Sequence, residues 1–236
     1  YGILGPNGSG KTTTLGIILG VLAQDDGSFS WFGDKYGTNP RKEIGAILET
    51  PNFYPYLNAA ENLDIVRVIK GLPPQNYDEI LKTVNLYERR KSKFRTYSLG
   101  MKQRLAIGAT LIGSPQVVIF DEPTNGLDPE GISEVRTILQ NVASSGKTVL
   151  MASHILDEVE KVCSHVAIIK NGNLLATGTV GSILSTDMTV EVMSTNAEKL
   201  KTVLQESSFV KKIYDHKDFL ECAVDQSLDT ATLSQH

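Results

Sequence analysis

Short apolar runs recur along the chain up to Gly178, and stretches with apolar residues at helical spacing lie between them. Continuous apolar runs are typical of parallel strands, because such strands are buried on both faces of the sheet. The alternation of strands with helices predicts an α/β fold with a mostly parallel sheet. The predicted strands lie at residues 1–4, 116–120, 147–153 and 166–170.

The segments between these runs carry weaker patterns. Apolar residues recur at helical spacing over 12–22, which predicts a helix there. The stretches "GSFSWFG" and "IGAIL" within 27–48 are typical of short strands, and the polar "DKYGTNPRK" separates them. Residues 56–96 read as mostly helical and polar, with a break at "GLPP". After Gly178 the pattern becomes strand, helix, strand, strand and the start of a further helix. We therefore expect a core over 1–180 and a small α+β accessory domain over 187–236.

Composition describes an ordinary globular chain of 236 residues with a net charge of −4, so no overall attraction to nucleic acid is expected. The two cysteines, Cys163 and Cys222, are far apart in the sequence, which argues against a zinc site and suits a reducing compartment. No apolar run reaches the roughly 18 residues that a membrane helix needs. Because so few residues precede the first glycine-rich loop, we expect further strands of the natural protein to precede Tyr1.

The stretch "GPNGSGKTT" joins the first strand to the first helix and has the spacing G-x-x-x-x-G-K-[ST]. Its glycines let backbone N–H groups point inward at phosphate oxygens, and the helix N-terminus adds partial positive charge. The spacing predicts that Lys11 reaches the β- and γ-phosphates and that the Thr12 hydroxyl binds Mg²⁺. The nucleotide-binding residues predicted here are Gly5, Pro6, Asn7, Gly8, Ser9, Gly10, Lys11, Thr12 and Thr13.

Two acidic residues follow a second buried strand in "VVIFDEPTNGLDP". The carboxyl ends of parallel strands meet at one edge, so these acids are expected beside the phosphate loop. Asp121 can join the Mg²⁺ shell, and Glu122 can polarise an attacking water. His154 lies just past a third strand, where an imidazole can meet a phosphate.

Five motifs in this order resemble the nucleotide-binding domain of ABC transporters over residues 1–180. They are the phosphate loop, the signature "YSLGM", the strand ending in Asp121 and Glu122, the D-loop "NGLD" and the switch histidine His154. The stretch "IGAILETPNFYPYLNAAENL" further resembles the subgroup that exports bacitracin-type and lantibiotic peptides. The resemblance implies a P-loop NTPase core with an ABC-type helical subdomain over about 56–113.

The resemblance also implies a mechanism. Two such domains sandwich two ATP molecules head to tail, as a homodimer or heterodimer. The signature then contacts the ATP of the opposite subunit, and Glu122, His154 and Lys11 support hydrolysis. Asp128 of the D-loop is either a helix N-cap followed by proline or that and a dimer contact at once. Separate transmembrane permease subunits use the motion, which places the protein at the cytoplasmic face of the membrane. The residues expected to act in trans are Ser98, Leu99, Gly100, Met101 and Asp128.

Three positions depart from the family pattern. Glu49 stands where the family has a glutamine that offers oxygen to Mg²⁺ and water, and it is either a metal ligand or a solvated loop residue. Leu99 and Met101 replace a glycine and a glutamine in the signature. The aromatic residue that stacks on adenine would lie upstream of Tyr1.

Two local features of the sequence each allow two interpretations. The run "RRKSKFR" either contacts lipid or nucleic acid or is a solvated helix end. The aromatic residues Phe53, Tyr54 and Tyr56 either pack in the helical subdomain or form a surface that docks the permease.

Two rival functions remain open on sequence grounds: a soluble ABC-type ATPase acting on ribosomes or DNA, and a module that binds ATP without hydrolysing it.

Overall fold

The continuous apolar runs form neighbouring strands of one sheet in the computed structural model, which describes residues 1–34, 40–48, 52–184, 188–193, 197–207, 210–216 and 219–224. The strands of this sheet are β1 (Gly2–Leu4), β2 (Ile44–Ile47), β3 (Val117–Asp121), β4 (Thr148–Ser153), β5 (His165–Lys170) and β6 (Asn173–Thr179). Their spatial order is β2-β3-β4-β1-β5-β6. Every neighbouring pair is parallel except β5 and β6, so the predicted mostly parallel sheet is confirmed.

α-Helices form much of the rest of the described chain. They are α1 (Lys11–Ile18), α2 (Ala59–Ile69), α3 (Asp78–Thr83), α4 (Leu99–Thr110), α5 (Pro129–Ser144), α6 (Leu156–Val162), α7 (Val180–Leu184) and, further along, α8 (Ala197–Glu206). Polar residues begin three of them: Asn58 forms a capping box with Glu61, and Ser98 and Asp128 cap α4 and α5. Within the described ranges, no helix is both long enough and apolar enough to cross a bilayer.

One hydrophobic cluster of the core lies between the sheet and α1. All five residues of β3 are buried, as expected for a strand covered on both faces. Leu15 of α1 and Ile119 of β3 are fully buried in the same cluster as Ile3 and Ala152. Full burial of one such aliphatic side chain contributes roughly 1.5–3 kcal/mol, so this cluster fixes α1, and the loop before it, against the sheet.

Partly buried polar contacts join α2 to Tyr77, the residue directly before α3. Arg67 forms a bidentate pair with Asp64, and the Tyr77 hydroxyl donates to the same carboxylate at 2.7 Å. The hydrogen bonds from Arg67 and Tyr77 lower the pKa of Asp64 to about 2. Burial, followed by the Asp64 contact, raises the pKa of Tyr77 to about 12.

Two sequence-based expectations are wrong in detail. Residues 27–33 form no strand, because they pair with no strand in the described part of the chain and Gly27 has a φ of 87°. Helix α1 ends at Ile18 rather than at residue 22. Gly20 adopts a φ of 66°, and the chain turns back so that the N–H groups of Val21 and Leu22 donate to the Gly16 carbonyl.

The chain divides into two compact units, Tyr1–Ile183 and Leu184–His236. The described part of the second unit contains α8 and an antiparallel sheet of β7 (Met188–Val192), β8 (Val210–Asp215) and β9 (Leu220–Val224) in the order β7-β9-β8. Leu204, Leu220 and Cys222 form its core. The helix expected at the end of the chain lies outside the described residues, and the accessory role of 187–236 stays a prediction.

Candidate nucleotide-binding site

The carboxyl ends of three adjacent parallel strands, β1, β3 and β4, form the site. Leu4 pairs with Ser153, and Asp121 pairs with Ala152, so the three strands end at nearly the same level. The loop after β1, the two acids at the end of β3 and the histidine after β4 therefore meet at one edge of the sheet. Ligands of open α/β sheets bind at this kind of edge.

The backbone of the phosphate loop depends on glycine at defined positions. Gly8 and Gly10 have φ values of 77° and 104°, a region that side-chain-bearing residues rarely adopt. At Gly5 a side chain would not fit, because a Cβ would lie 2.2 Å from the carbonyl oxygen of Ile169. The loop closes on itself through a hydrogen bond from Ser9 N to Pro6 O, and α1 begins directly after Gly10. The N-terminus of α1 thus opens into the concave side of the loop.

The Lys11 ammonium lies in this concavity although the residue is only 5% exposed. Its Nζ donates to the carbonyl oxygens of Gly5 at 2.8 Å and Pro6 at 3.3 Å. It also lies 3.2 Å from Oε1 of Glu122. A buried cation is tolerated only when it is paired in this way, and the position is the one from which an amine reaches phosphate oxygens.

Thr12 and Asp121 place two oxygen ligands side by side. The Thr12 hydroxyl donates to Oδ2 of Asp121 at 2.5 Å. In the part of the chain that the structure describes, no group of three or more His, Cys, Asp or Glu residues could hold a metal on its own. One hydroxyl and one carboxylate suit Mg²⁺, which binds through one or two carboxylates together with substrate phosphates and waters. The buried Ser9 hydroxyl also has no hydrogen-bond partner among the described residues, as expected for a loop shaped around a ligand.

Glu122 contacts both other predicted catalytic residues. Its φ of 49° takes the chain out of β3 immediately after Asp121, and its N–H donates to Ala152 O. Its Oε2 lies 2.8 Å from Nδ1 of His154, while Oε1 faces Lys11. The sequence predicted the three residues separately; it did not predict that Glu122 bridges the other two.

The signature motif lies in a different place from the phosphate loop. Ser98 accepts a hydrogen bond from Met101 N, and Leu99 is 47% exposed. Nothing lies within 4 Å of the position where Gly100 would carry a Cβ, so the backbone there is open. The signature and Asp128 line one groove of about 330 Å³, and none of residues 5–13 lines it. Ser98, Leu99, Gly100 and Asp128 thus lie together, away from the phosphate loop of the same chain.

The aromatic residues after residue 52 divide between core and surface. Phe53 packs edge-on against Phe94 at 5.2 Å between ring centroids. Tyr54 and Tyr56 are 49% and 61% exposed and contact each other. The buried Asn62 side chain holds this loop by accepting from Tyr54 N and donating to the carbonyls of Tyr54 and Asn58, a role that the sequence did not signal. Glu49 lies outside the described residues.

The family model described as ABC transporter matches residues 1–125. The chain belongs to the ABC transporter family. It is 44% identical over 180 residues to the bacitracin transport ATP-binding protein BcrA of Bacillus licheniformis, covering 74% of this chain and 59% of that protein. It is 39% identical over 175 residues to the lantibiotic transport ATP-binding protein SrtF of Streptococcus pyogenes, covering 74% of this chain and 76% of that protein. The chain thus spans about three fifths of the length of relatives such as BcrA.

A solved structure agrees with this assignment. The dimeric post-hydrolysis state of the ATP-binding cassette MJ0796, bound to ADP and Pi, superposes with a TM-score of 0.65 and 26% identity, covering 76% of this chain and 84% of that chain. The expected P-loop α/β fold and the resemblance to bacitracin- and lantibiotic-type ATPases are confirmed. The match to the family model lies within the compact unit Tyr1–Ile183.

Proposed function

We propose that this chain is the ATP-binding and ATP-hydrolysing subunit of an ABC transporter that powers export through separate membrane permease subunits. The observation that carries the proposal is the Lys11–Glu122–His154 cluster at the mouth of the phosphate loop. The protein would work peripherally at the cytoplasmic face of the membrane. The names of BcrA and SrtF favour an antimicrobial peptide as cargo.

Each side chain of the cluster has a role that follows from its position. The loop N–H groups and the α1 N-terminus hold the phosphates, and Lys11 exchanges its carbonyl partners for β- and γ-phosphate oxygens. Glu122 accepts a proton as water attacks the γ-phosphorus and the bond to the leaving ADP oxygen breaks. His154 uses Nδ1 to hold Glu122 at 2.8 Å, which leaves Nε2 for a γ-phosphate oxygen.

A magnesium ion belongs to the same proposal. Thr12 and Asp121 would hold it, with Glu49 as a third oxygen donor near the attacking water. When bound, Mg²⁺ neutralises negative charge on the phosphates. The Thr12 hydroxyl donates a hydrogen bond to Asp121, so the two oxygen atoms that would bind this ion lie side by side.

The signature and D-loop act on a second ATPase subunit in this proposal. Ser98, the Gly100 N–H and the dipole of the 12-residue helix α4 offer an anion site on a groove that the chain's own phosphate loop does not share. Leu99 and Met101 keep the backbone donors of the motif. The dimeric form of MJ0796 supports a pairing of two such domains, in which Asp128 would lie at the interface.

The permease would dock beside the exposed tyrosines. A groove of about 560 Å³ between the core and the helical segment is lined by Thr12 and Leu48 on one side and by Phe53, Val66 and Lys70 on the other. Tyrosine is a favoured interface anchor, and Tyr54 and Tyr56 follow the segment that leads from Glu49. A surface that continues from the nucleotide to the permease would report the nucleotide state.

The test is to purify the chain from membranes of its source with an affinity tag and to measure Mg²⁺-dependent phosphate release. We expect a multi-span membrane protein to co-purify and ATP hydrolysis to be lost in Lys11→Ala. Hydrolysis without a membrane partner would support the soluble ATPase, and a membrane partner without hydrolysis would support the regulatory module.

A further inference from the structure

A buried carboxylate lies directly behind the switch histidine. Glu158, in the first turn of α6, is only 3% exposed. Its Oε2 accepts a hydrogen bond from the Ser153 hydroxyl at 3.0 Å, and its Oε1 has no hydrogen-bond partner among the described residues. Burying a carboxyl group with incomplete hydrogen bonding is unfavourable, so its retention at this place calls for a reason.

The Ser153 hydroxyl connects this carboxylate to the backbone on the far side of His154. Ser153 is fully buried, and its Oγ accepts a hydrogen bond from the Ile155 N–H at 3.0 Å. The turn that carries His154 is therefore closed by one hydroxyl, which Glu158 orients by accepting a hydrogen bond from it. The Ser153 carbonyl also accepts from Gly5 N at 3.2 Å, at the entry to the phosphate loop.

We propose that Glu158 is a positioning residue that acts through Ser153 to hold His154 against Glu122. The inference rests on the proposed function of His154. A carboxylate fixes the direction of the Ser153 O–H bond, which leaves the oxygen lone pair for Ile155 N. The closed turn then keeps the His154 ring within 2.8 Å of Glu122. Small displacements at reacting groups are costly, because a misplacement of about 1 Å can lower a rate about 10²-fold.

The test measures steady-state ATP hydrolysis by the full chain in Glu158→Ala, Glu158→Gln and Ser153→Ala. We expect Glu158→Ala and Ser153→Ala to lower kcat by about 10- to 100-fold with little change in KM for ATP. Glu158→Gln should recover most of the rate, because an amide oxygen accepts the same hydrogen bond. The matched control is Glu160→Ala, an exposed acid on the same helix. Thermal unfolding identifies any variant that does not fold, and the other two then carry the test.

Combination with His154→Ala separates positioning from a merely structural role. If Glu158 acts through His154, adding Glu158→Ala or Ser153→Ala to His154→Ala should change kcat no further, since residues that act as a unit are non-additive. An equal fold-loss in both backgrounds, or a Glu158→Ala rate equal to that of Glu160→Ala, would overturn the inference alone. A His154→Ala rate equal to wild type would overturn the proposed role of His154 as well.

Discussion

At the residue scale, Asp121 and Glu122 are adjacent acids with different partners. Asp121 ends the strand and accepts from Thr12, whereas the positive φ of Glu122 turns its side chain toward Lys11 and His154. In the proposed function, this strained backbone angle separates the metal-ligand role of Asp121 from the general-base role of Glu122. These side-chain contacts could not be predicted from the sequence. The side chains of a strand alternate between its two faces, and that rule stops where the strand ends at Asp121.

Gly5 gives the prediction that belongs to this scale. Gly5→Ala would place a methyl group 2.2 Å from the Ile169 carbonyl oxygen and 2.6 Å from Ser9 Oγ. Overpacking of this kind costs about 1–3 kcal/mol of unfolding free energy, and relief by loop movement would spoil the phosphate cradle. Denaturant unfolding and ATP titration should both show the loss. The control is Gly181→Ala in α7, where nothing lies within 4 Å; equal effects in the two variants would contradict this account of the loop.

At the element scale, the helical segment is stabilised by polar contacts as well as apolar ones. The Tyr77 pKa is raised to about 12 in the folded protein, from an ordinary value of 10.0. The folded state therefore favours the neutral phenol, so this contribution is present below pH 10 and is lost as pH rises towards 12. We expect the difference in unfolding free energy between wild type and Tyr77→Phe to shrink over that interval. A difference that stays constant from pH 9 to 12, measured by urea unfolding, would contradict the assignment.

The exposed tyrosines give a second prediction at this scale. Tyr54→Ser with Tyr56→Ser should leave folding and ATP binding intact and lower co-purification with the permease, because both side chains are about half exposed or more. Phe53→Ser serves as the contrasting variant, and it should destabilise the domain because Phe53 packs on Phe94. Full permease binding by the folded double variant would place the docking surface elsewhere.

The elements also show how far the sequence could lead. Apolar runs predicted β1, β3, β4 and β5. The pattern failed at residues 27–33, where strand-like composition met no pairing strand in the described ranges. The hydrogen bond between Ser153 and Glu158 depends on how the chain turns between β4 and α6, which neither strand nor helix periodicity signals.

At the scale of the whole molecule, the proposal requires two subunits to complete each ATP site. Ser98→Arg should cripple hydrolysis while the monomer binds nucleotide with nearly wild-type affinity, because Ser98 lines a groove separate from its own phosphate loop. Nucleotide titration of the monomeric variant, with analytical ultracentrifugation to confirm its state, makes the measurement. Loss of affinity in the monomer would place Ser98 in the cis site and contradict the head-to-tail arrangement.

The central claim is that Glu122 drives ATP hydrolysis in this chain. The most direct measurement compares nucleotide binding and phosphate release in wild type and Glu122→Gln under saturating Mg²⁺ and ATP. The variant keeps the shape of the side chain and its contact with His154 but cannot accept the proton. We predict ATP binding near wild type and a kcat lower by about 10²–10⁴-fold. Hydrolysis by Glu122→Gln at the wild-type rate would contradict the account.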